Sequence, residues 1–308
     1  MSPTQPTHRP LVAIDWGTSR LRGARLGAQG QALEHREFAR GLLTVAPGRF
    51  ADVLAECFGD WLQAPDGLGL LSGMVGSRQG WQEAAYCPCP AGLDELARQL
   101  LWLQPGRLAI VPGLSVQRDE GLPWPLHDVM RGEEVQIMGA LALSGRTSAR
   151  LVLPGTHSKW AQVDNGRITS FQTFMTGEVF AALRNHTILA RTLPAPQDNV
   201  ELDVPAFTQA VRHSLQSGHV LHQLFGTRTL ALMARASPAE LLSHLSGLLI
   251  GEELRAQQFE AEEEILIVGS SALQERYQHA LAVCQVRSQC WGAQATWHGL
   301  QTIADSLT

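Results

Sequence analysis

The chain has 308 residues, 44% of them hydrophobic and 17% charged, with a formal net charge of -5. That length and composition suit one large or two ordinary globular domains. The acidic balance argues against a protein that grips a nucleic-acid backbone, and no run of about 18 apolar residues is present to cross a membrane. Five cysteines, an odd number scattered along the chain, suit a reducing compartment and predict a cytoplasmic protein without a disulfide scaffold.

Residues 1–10 (MSPTQPTHRP) are polar and proline-rich and read as a disordered tail, not a secretory signal. Leu11 to Ile14 reads as an apolar strand, ended by Asp15. A Gly17-Thr18-Ser19 turn, a strand from Leu21 to Leu26, a glycine-bearing turn over 27–30 and a third strand follow. Residues 51–62 place Leu54, Phe58, Trp61 and Leu62 on one helical face. Residues 68–73 and 107–113 read as buried strands ending in glycine, with a helix over 94–103 between them. Cys87 and Cys89 are separated by one residue and have no second pair nearby, so no zinc site is expected. Gly132-Glu133-Glu134 opens a helix on which Val135, Met138 and Leu141 share a face. The polar segment SGRTSAR marks a domain boundary near residue 146, dividing 11–146 from 147–308.

The second half begins as the first did. Leu151 to Leu153 is a strand, Gly155-Thr156 a turn, and Lys159 to Val163 a second strand. Asp164-Asn165-Gly166 is a hairpin turn before a third strand. Ser237-Pro238-Ala239-Glu240 combines an N-cap, a proline at the first helical position and a capping-box glutamate. Leu241, Leu242, Leu245, Leu248 and Leu249 follow as an apolar face. Residues 265–269 read as a buried strand and 271–283 as a helix. Strands alternating with helices predict α/β layers.

Two glycine turns between strands expose backbone N–H groups of the kind that bind anions, and a neighbouring threonine or serine adds a hydroxyl donor. Asp15, just before the first turn, either caps its own backbone or faces a Mg²⁺ ion that screens it from phosphate. Lys159, the only lysine in the sequence, puts a compact charge beside the second turn where a guanidinium would be a wide fork. There is no P-loop sequence.

These elements, AIDWGTSRLR (13–22), LPGTHSKW (153–160) and ILIVGSSAL (265–273), resemble those of the sugar kinase/actin-like ATPase superfamily. A closer similarity is to the 2-dehydro-3-deoxygalactonokinase family. AIDWG, GMVGS (73–77), IVPGL (110–114), VMRGEE (129–134), PGTHSKW (154–160), MTGE (175–178), NH (185–186) and LSGLLIG (245–251) all look like that family, across nearly the whole chain. One departure is GSSAL, with serine where many superfamily members have a second glycine.

The resemblance implies a two-domain actin-like (ribonuclease H-like) α/β fold, each domain a mixed sheet flanked by helices, with a cleft between. It implies ATP- and Mg²⁺-dependent phosphorylation of the sugar acid 2-dehydro-3-deoxy-D-galactonate at position six, in galactonate catabolism. Glu133 is then the expected catalytic base, with Glu134 the alternative. Gly17, Thr18 and Ser19, and Gly155, Thr156, Ser158 and Lys159, are the expected phosphate-binding residues. Gly269, Ser270 and Ser271 would meet adenosine, and Asp15 would hold Mg²⁺ through water. Arg22, Gly73, Met74, Val75, Gly76, Ser77, Trp81 and Arg131 are the expected substrate-binding residues, and which arginine takes the carboxylate is open, as is the oligomeric state, a homodimer included. Two rivals use the same scaffold: a phosphatase of exopolyphosphatase type, and a non-catalytic nucleotide switch.

Overall fold

The opening residues build a meander because their apolar positions leave only sheet burial open to them. β1 (Leu11–Trp16) is buried along almost its whole length and pairs antiparallel with β2 (Leu21–Leu26), which pairs with β3 (Ala32–Phe38). β3 is mostly exposed and carries Glu34, His35, Arg36 and Glu37, the charged edge that discourages pairing with another chain. α1 (Phe50–Leu62) lays Phe50, Leu54, Cys57, Phe58 and Trp61 into a core with Trp16, Leu21 and Ile110. β4 (Leu68–Ser72) runs parallel to β1. The computed structural model describes residues 10–64, 67–118, 126–195, 197–198, 200–216 and 218–307; the predicted tail, apart from Pro10, lies outside them.

β5 (Cys87–Pro88), α2 (Leu93–Arg98), β6 (Leu101–Gln104), β7 (Leu108–Ile110), β8 (Leu114–Arg118), β9 (Leu126–Met130) and α3 (Glu133–Ser144) follow. The helix expected over 94–103 stops at Arg98. Leu101–Gln104 alternates in burial and pairs antiparallel with β7, because Pro105-Gly106, with Gly106 at φ +67°, turns the chain into a hairpin. The strands form a six-stranded sheet in the order β3-β2-β1-β4-β7-β6 and a three-stranded sheet β5-β8-β9.

A third sheet has the order β12-β11-β10-β13-β14, from β10 (Ala149–Leu153), β11 (Ser158–Asp164), β12 (Arg167–Phe174), β13 (Glu264–Val268) and β14 (Arg287–Trp291). Asn165 and Gly166 both have positive φ, as a two-residue hairpin turn demands. The helices are α4 (Thr176–His186), α5 (Val204–Gln216), α6 (Val220–Leu232), α7 (Pro238–Arg255), α8 (Ser271–Val283) and α9 (Gln294–Asp305). Ser237 caps α7, accepting from the Glu240 N–H, while the Glu240 carboxylate accepts from the Ser237 N–H.

The described residues fall into two compact units, one within 1–149, 161–172 and 291–308, the other within 150–160 and 173–290. In the first unit α3 and α9 touch backbone to backbone. A Cβ on Gly139 would lie 1.7 Å from the Ala295 carbonyl oxygen, so no side chain fits there. Among the described residues no helix is long and apolar enough to cross a membrane.

Candidate active site

In the first unit the end of β1, the end of β4 and the start of α3 converge. Arg22 donates to Asp15 Oδ2 from Nε at 2.9 Å and from Nη2 at 2.5 Å, a charge-assisted fork, and its guanidinium lies 5.9 Å from the Trp297 ring of α9. Arg22 is therefore committed to Asp15, which weakens its expected role on the substrate carboxylate. The other oxygen, Asp15 Oδ1, faces Gly73: a Cβ there would sit 3.1 Å from it. Gly73 has φ +90°, and a Cβ on Gly132, at φ +103°, would come within 3.2 Å of the Gly73 Cα. Both glycines are needed for this close approach.

Gly132 lets the chain turn sharply into α3. Glu133, partly exposed, accepts the Arg131 N–H at Oε2 (2.9 Å). Glu134 has no exposed surface, and its two oxygens accept the Gly132 N–H at 2.9 and 2.7 Å. Burial, and then the neighbouring Glu133 charge, push the Glu134 carboxyl up to about 8. Glu134 thus holds the turn from inside, and Glu133 is the carboxylate within reach of solvent.

Arg131 is 9% exposed. Its Nη2 donates to the Ala84 carbonyl at 2.8 Å, and its guanidinium lies 4.4 Å from the Tyr86 ring. Its Nε and Nη1, and Ser77 Oγ, are buried without a hydrogen-bond partner among the described residues. Met74-Val75-Gly76 makes one 3-10 turn. Val75 has no exposed surface and belongs to the core, so its side chain is removed from any ligand. Trp81 stacks on Phe50 with ring centroids 6.5 Å apart and lines a groove with α1, β6 and β7; its environment is that of a packed aromatic and not of a residue beside Asp15.

The first glycine turn is pinned from behind, where the Gly17, Thr18 and Ser19 carbonyls accept N–H groups of Leu42, Leu43 and Gly41. Thr18 and Ser19 are exposed. In the second unit the Gly155-Thr156 turn meets the start of α4: the Thr156 carbonyl accepts the Glu178 N–H at 2.9 Å, and His157 Nε2 lies 2.6 Å from Glu178 Oε2. Gly17 and Gly155 have neither a left-handed φ nor a crowded neighbour. A Cβ on either would meet only a backbone oxygen, at 3.6 and 3.8 Å, an ordinary contact. Nothing inside the protein requires glycine at these two turns.

Ser158 and Lys159 depart from expectation. Ser158 is fully buried, donates to Glu253 Oε1 at 2.8 Å and accepts from the Tyr277 hydroxyl at 3.2 Å. Its hydroxyl is turned into the core, and so is not presented at the turn surface. Lys159 is 6% exposed, and its Nζ donates to Thr173 Oγ1 at 2.7 Å. Glu253 is the hub that sequence reasoning missed. It also accepts from Trp160 Nε1 at 2.6 Å, from the Tyr277 hydroxyl at 2.8 Å and from Thr176. Burial raises the Glu253 carboxyl, while the hydrogen bonds from Thr176, Ser158, Tyr277 and Trp160 pull it down. Its signal was an acidic residue four after Leu249 on the apolar face of α7.

A cavity of about 240 Å³ opens beside this turn. Gly155, Thr176 and Gly177 line one side, and Phe180 and Arg184 of α4, Leu242, Ser246 and Leu249 of α7, and Leu273 and Arg276 of α8 line the rest. Ser270 caps α8 and Ser271 begins it. A Cβ on Gly269 would meet Pro154 at 3.6 Å, again an ordinary contact. The cavity walls come from five stretches far apart in sequence, which no short window of sequence reports together.

The profile of a family described as 2-keto-3-deoxy-galactonokinase matches residues 15–303. A protein of Escherichia coli (strain K12) named 2-dehydro-3-deoxygalactonokinase is 36% identical over 300 residues, covering 96% of this chain and 98% of its own. A relative from Rhizobium meliloti (strain 1021) given the same enzyme name is 37% identical over 276 residues, 88% of each chain. A crystal structure from Sinorhizobium meliloti, assigned that enzyme name too, superposes with a TM-score of 0.86 at 34% identity, covering 97% of this chain and 99% of its own. The activator of 2-hydroxyisocaproyl-CoA dehydratase from Clostridium difficile, solved with bound ADPNP, shares the fold at a TM-score of 0.51 and 12% identity.

Proposed function

The chain belongs to the 2-keto-3-deoxy-galactonokinase family, and from that premise we propose that it transfers the γ-phosphoryl group of ATP to the 6-hydroxyl of 2-dehydro-3-deoxy-D-galactonate. The observation that carries the nucleotide half is the pair of glycines, Gly17 and Gly155, at strand-to-strand turns where the protein leaves room for a Cβ and has none. A phosphate oxygen is the kind of neighbour that a Cβ would displace. In this reading the Gly17-Thr18-Ser19 and Gly155-Thr156 backbones and the Thr18, Ser19 and Thr156 hydroxyls donate to phosphate. Ser158 and Lys159 support the second turn from within, and the cavity beside Gly155, with Gly269, Ser270 and Ser271 near its α8 wall, takes the adenosine.

Phosphoryl transfer asks the protein mainly for positioning, charge neutralisation and a group to accept the hydroxyl proton. Glu133 is assigned that last role: it is carboxylate, reachable by solvent, and sits at a helix N-terminus, where negative charge is favoured. Glu134 fixes the backbone turn that aims Glu133. Arg131 and Ser77, with unpartnered buried donors, are assigned the substrate carboxylate. Asp15 keeps Oδ1 for the hydration shell of a Mg²⁺ ion. In this reading the ion is held chiefly by phosphate and water with a single carboxylate. Such an ion would screen the phosphate charge. Five free cysteines suit the reducing cytoplasm as its location.

The deciding measurement is coupled ADP release across keto-deoxy sugar acids and simple hexoses. ADP formed only with 2-dehydro-3-deoxygalactonate supports the assignment. Phosphate released without any sugar acid would replace it with a hydrolase, and nucleotide binding without turnover would replace it with a switch.

A further inference from the structure

We propose that the second unit holds another ligand site, for a small phosphorylated hydroxy acid, in the polar pocket bounded by α5, α6 and the middle of α7. The pocket has a volume of about 580 Å³ and shares no lining residue with the cavity beside Gly155. Among the described residues its titratable lining groups are Arg212 and His213 from α5, His222 from α6 and His244 from α7, and no aspartate or glutamate lines it. The whole chain carries 29 acidic against 24 basic residues, so an acid-free basic cluster runs against its composition.

The cluster is partly built. The hydroxyl of Thr227, fully buried, lies 3.1 Å from His244 Nδ1, which sets the ring. Burial, and then the charge of His213, lower His244 to about 4. A guanidinium fork and imidazole N–H groups suit the oxygens of a phosphate monoester. The volume exceeds what inorganic phosphate fills. Phe225 offers an apolar wall for a carbon chain, and Gln209 offers an amide for hydroxyls. The inference concerns the second unit alone and does not rest on the kinase reading.

The test is isothermal titration of the intact chain with D-gluconate 6-phosphate, with inorganic phosphate and D-gluconate in parallel. Saturable binding of the ester is expected, about tenfold or more tighter than either parallel probe. Arg212→Gln and His222→Gln alter exposed side chains, so both should fold with an unchanged melting temperature, keep wild-type turnover and bind the ester about tenfold or more weakly. Ester affinity unmoved by both substitutions overturns the proposal, as does inorganic phosphate binding equally well.

Discussion

Glu134 is a carboxyl sealed inside the start of α3, and its charge state should be readable in the stability of the whole protein. Its ordinary value of 4.5 is pushed up to about 8. Below about pH 4.5 it is protonated in both folded and unfolded chains and costs nothing. Between there and pH 8 the unfolded chain ionises it while the fold keeps the proton, so stability falls as pH rises. Above about 8 the loss is complete. Each pK unit of difference is worth about 1.4 kcal/mol, so the full penalty is on the order of 5 kcal/mol. Glu134→Gln cannot ionise, and its amide oxygen can still accept the Gly132 N–H. Thermal unfolding of both proteins in matched buffers from pH 5 to 9 should give nearly coincident midpoints at the acid end. The variant should melt higher by roughly 10 °C at the alkaline end, using about 2 °C per kcal/mol for a chain of this size. Groups away from the Glu133–Glu134 pair titrate alike in the two proteins, so parallel pH profiles would refute the burial argument.

Glu133→Gln should lower turnover by roughly 10²–10⁴-fold with nucleotide affinity little changed, and normal turnover in steady-state assays would remove Glu133 as the base. Asp15→Asn should raise the Mg²⁺ concentration needed for half-maximal activity and reduce catalysis; an unaltered magnesium titration rejects that role. Gly139→Ala must separate a pair of touching backbones, so denaturant unfolding should show a loss of roughly 2–3 kcal/mol; a loss under about 0.5 kcal/mol would mean that the α3–α9 contact is looser than described. Glu253→Ala strands the buried donors of Ser158, Trp160, Thr176 and Tyr277 and should cost about 3–5 kcal/mol, checked the same way.

Local signals carried much of the fold. The meander of β1 to β3 was legible because the apolar run from Leu11 to Ile14 and the strand from Leu21 to Leu26 are each followed by a glycine-bearing turn, the Asn165-Gly166 hairpin because only particular residues accept its backbone angles, and the start of α7 because Ser237 and Glu240 form a reciprocal cap. The 94–103 segment misled, since Leu96, Leu100 and Leu103 imitate helical spacing while Pro105-Gly106 imposes a hairpin. The proposed site draws on Gly17, Gly155, Gly132 and Glu133, where composition at a turn is itself the signal. It was not legible at Ser158, whose partner Glu253 is 95 residues away, or at Trp297, which reaches Arg22 from the far end of the chain. Such pairings depend on topology, and no pattern in a short window reports them.

The seam between α3 and α9 has a consequence for synthesis on the ribosome. Residues 294–305 are translated about 150 residues after α3, a delay of roughly 8–30 s at about 5–20 residues per second. During that interval the carboxylate-bearing helix is made but uncovered, while the intervening polypeptide already has everything it needs to form the second unit. The amino-terminal half is therefore the last to mature, and a nascent chain stalled before residue 294 would carry a bare apolar flank for chaperones to hold.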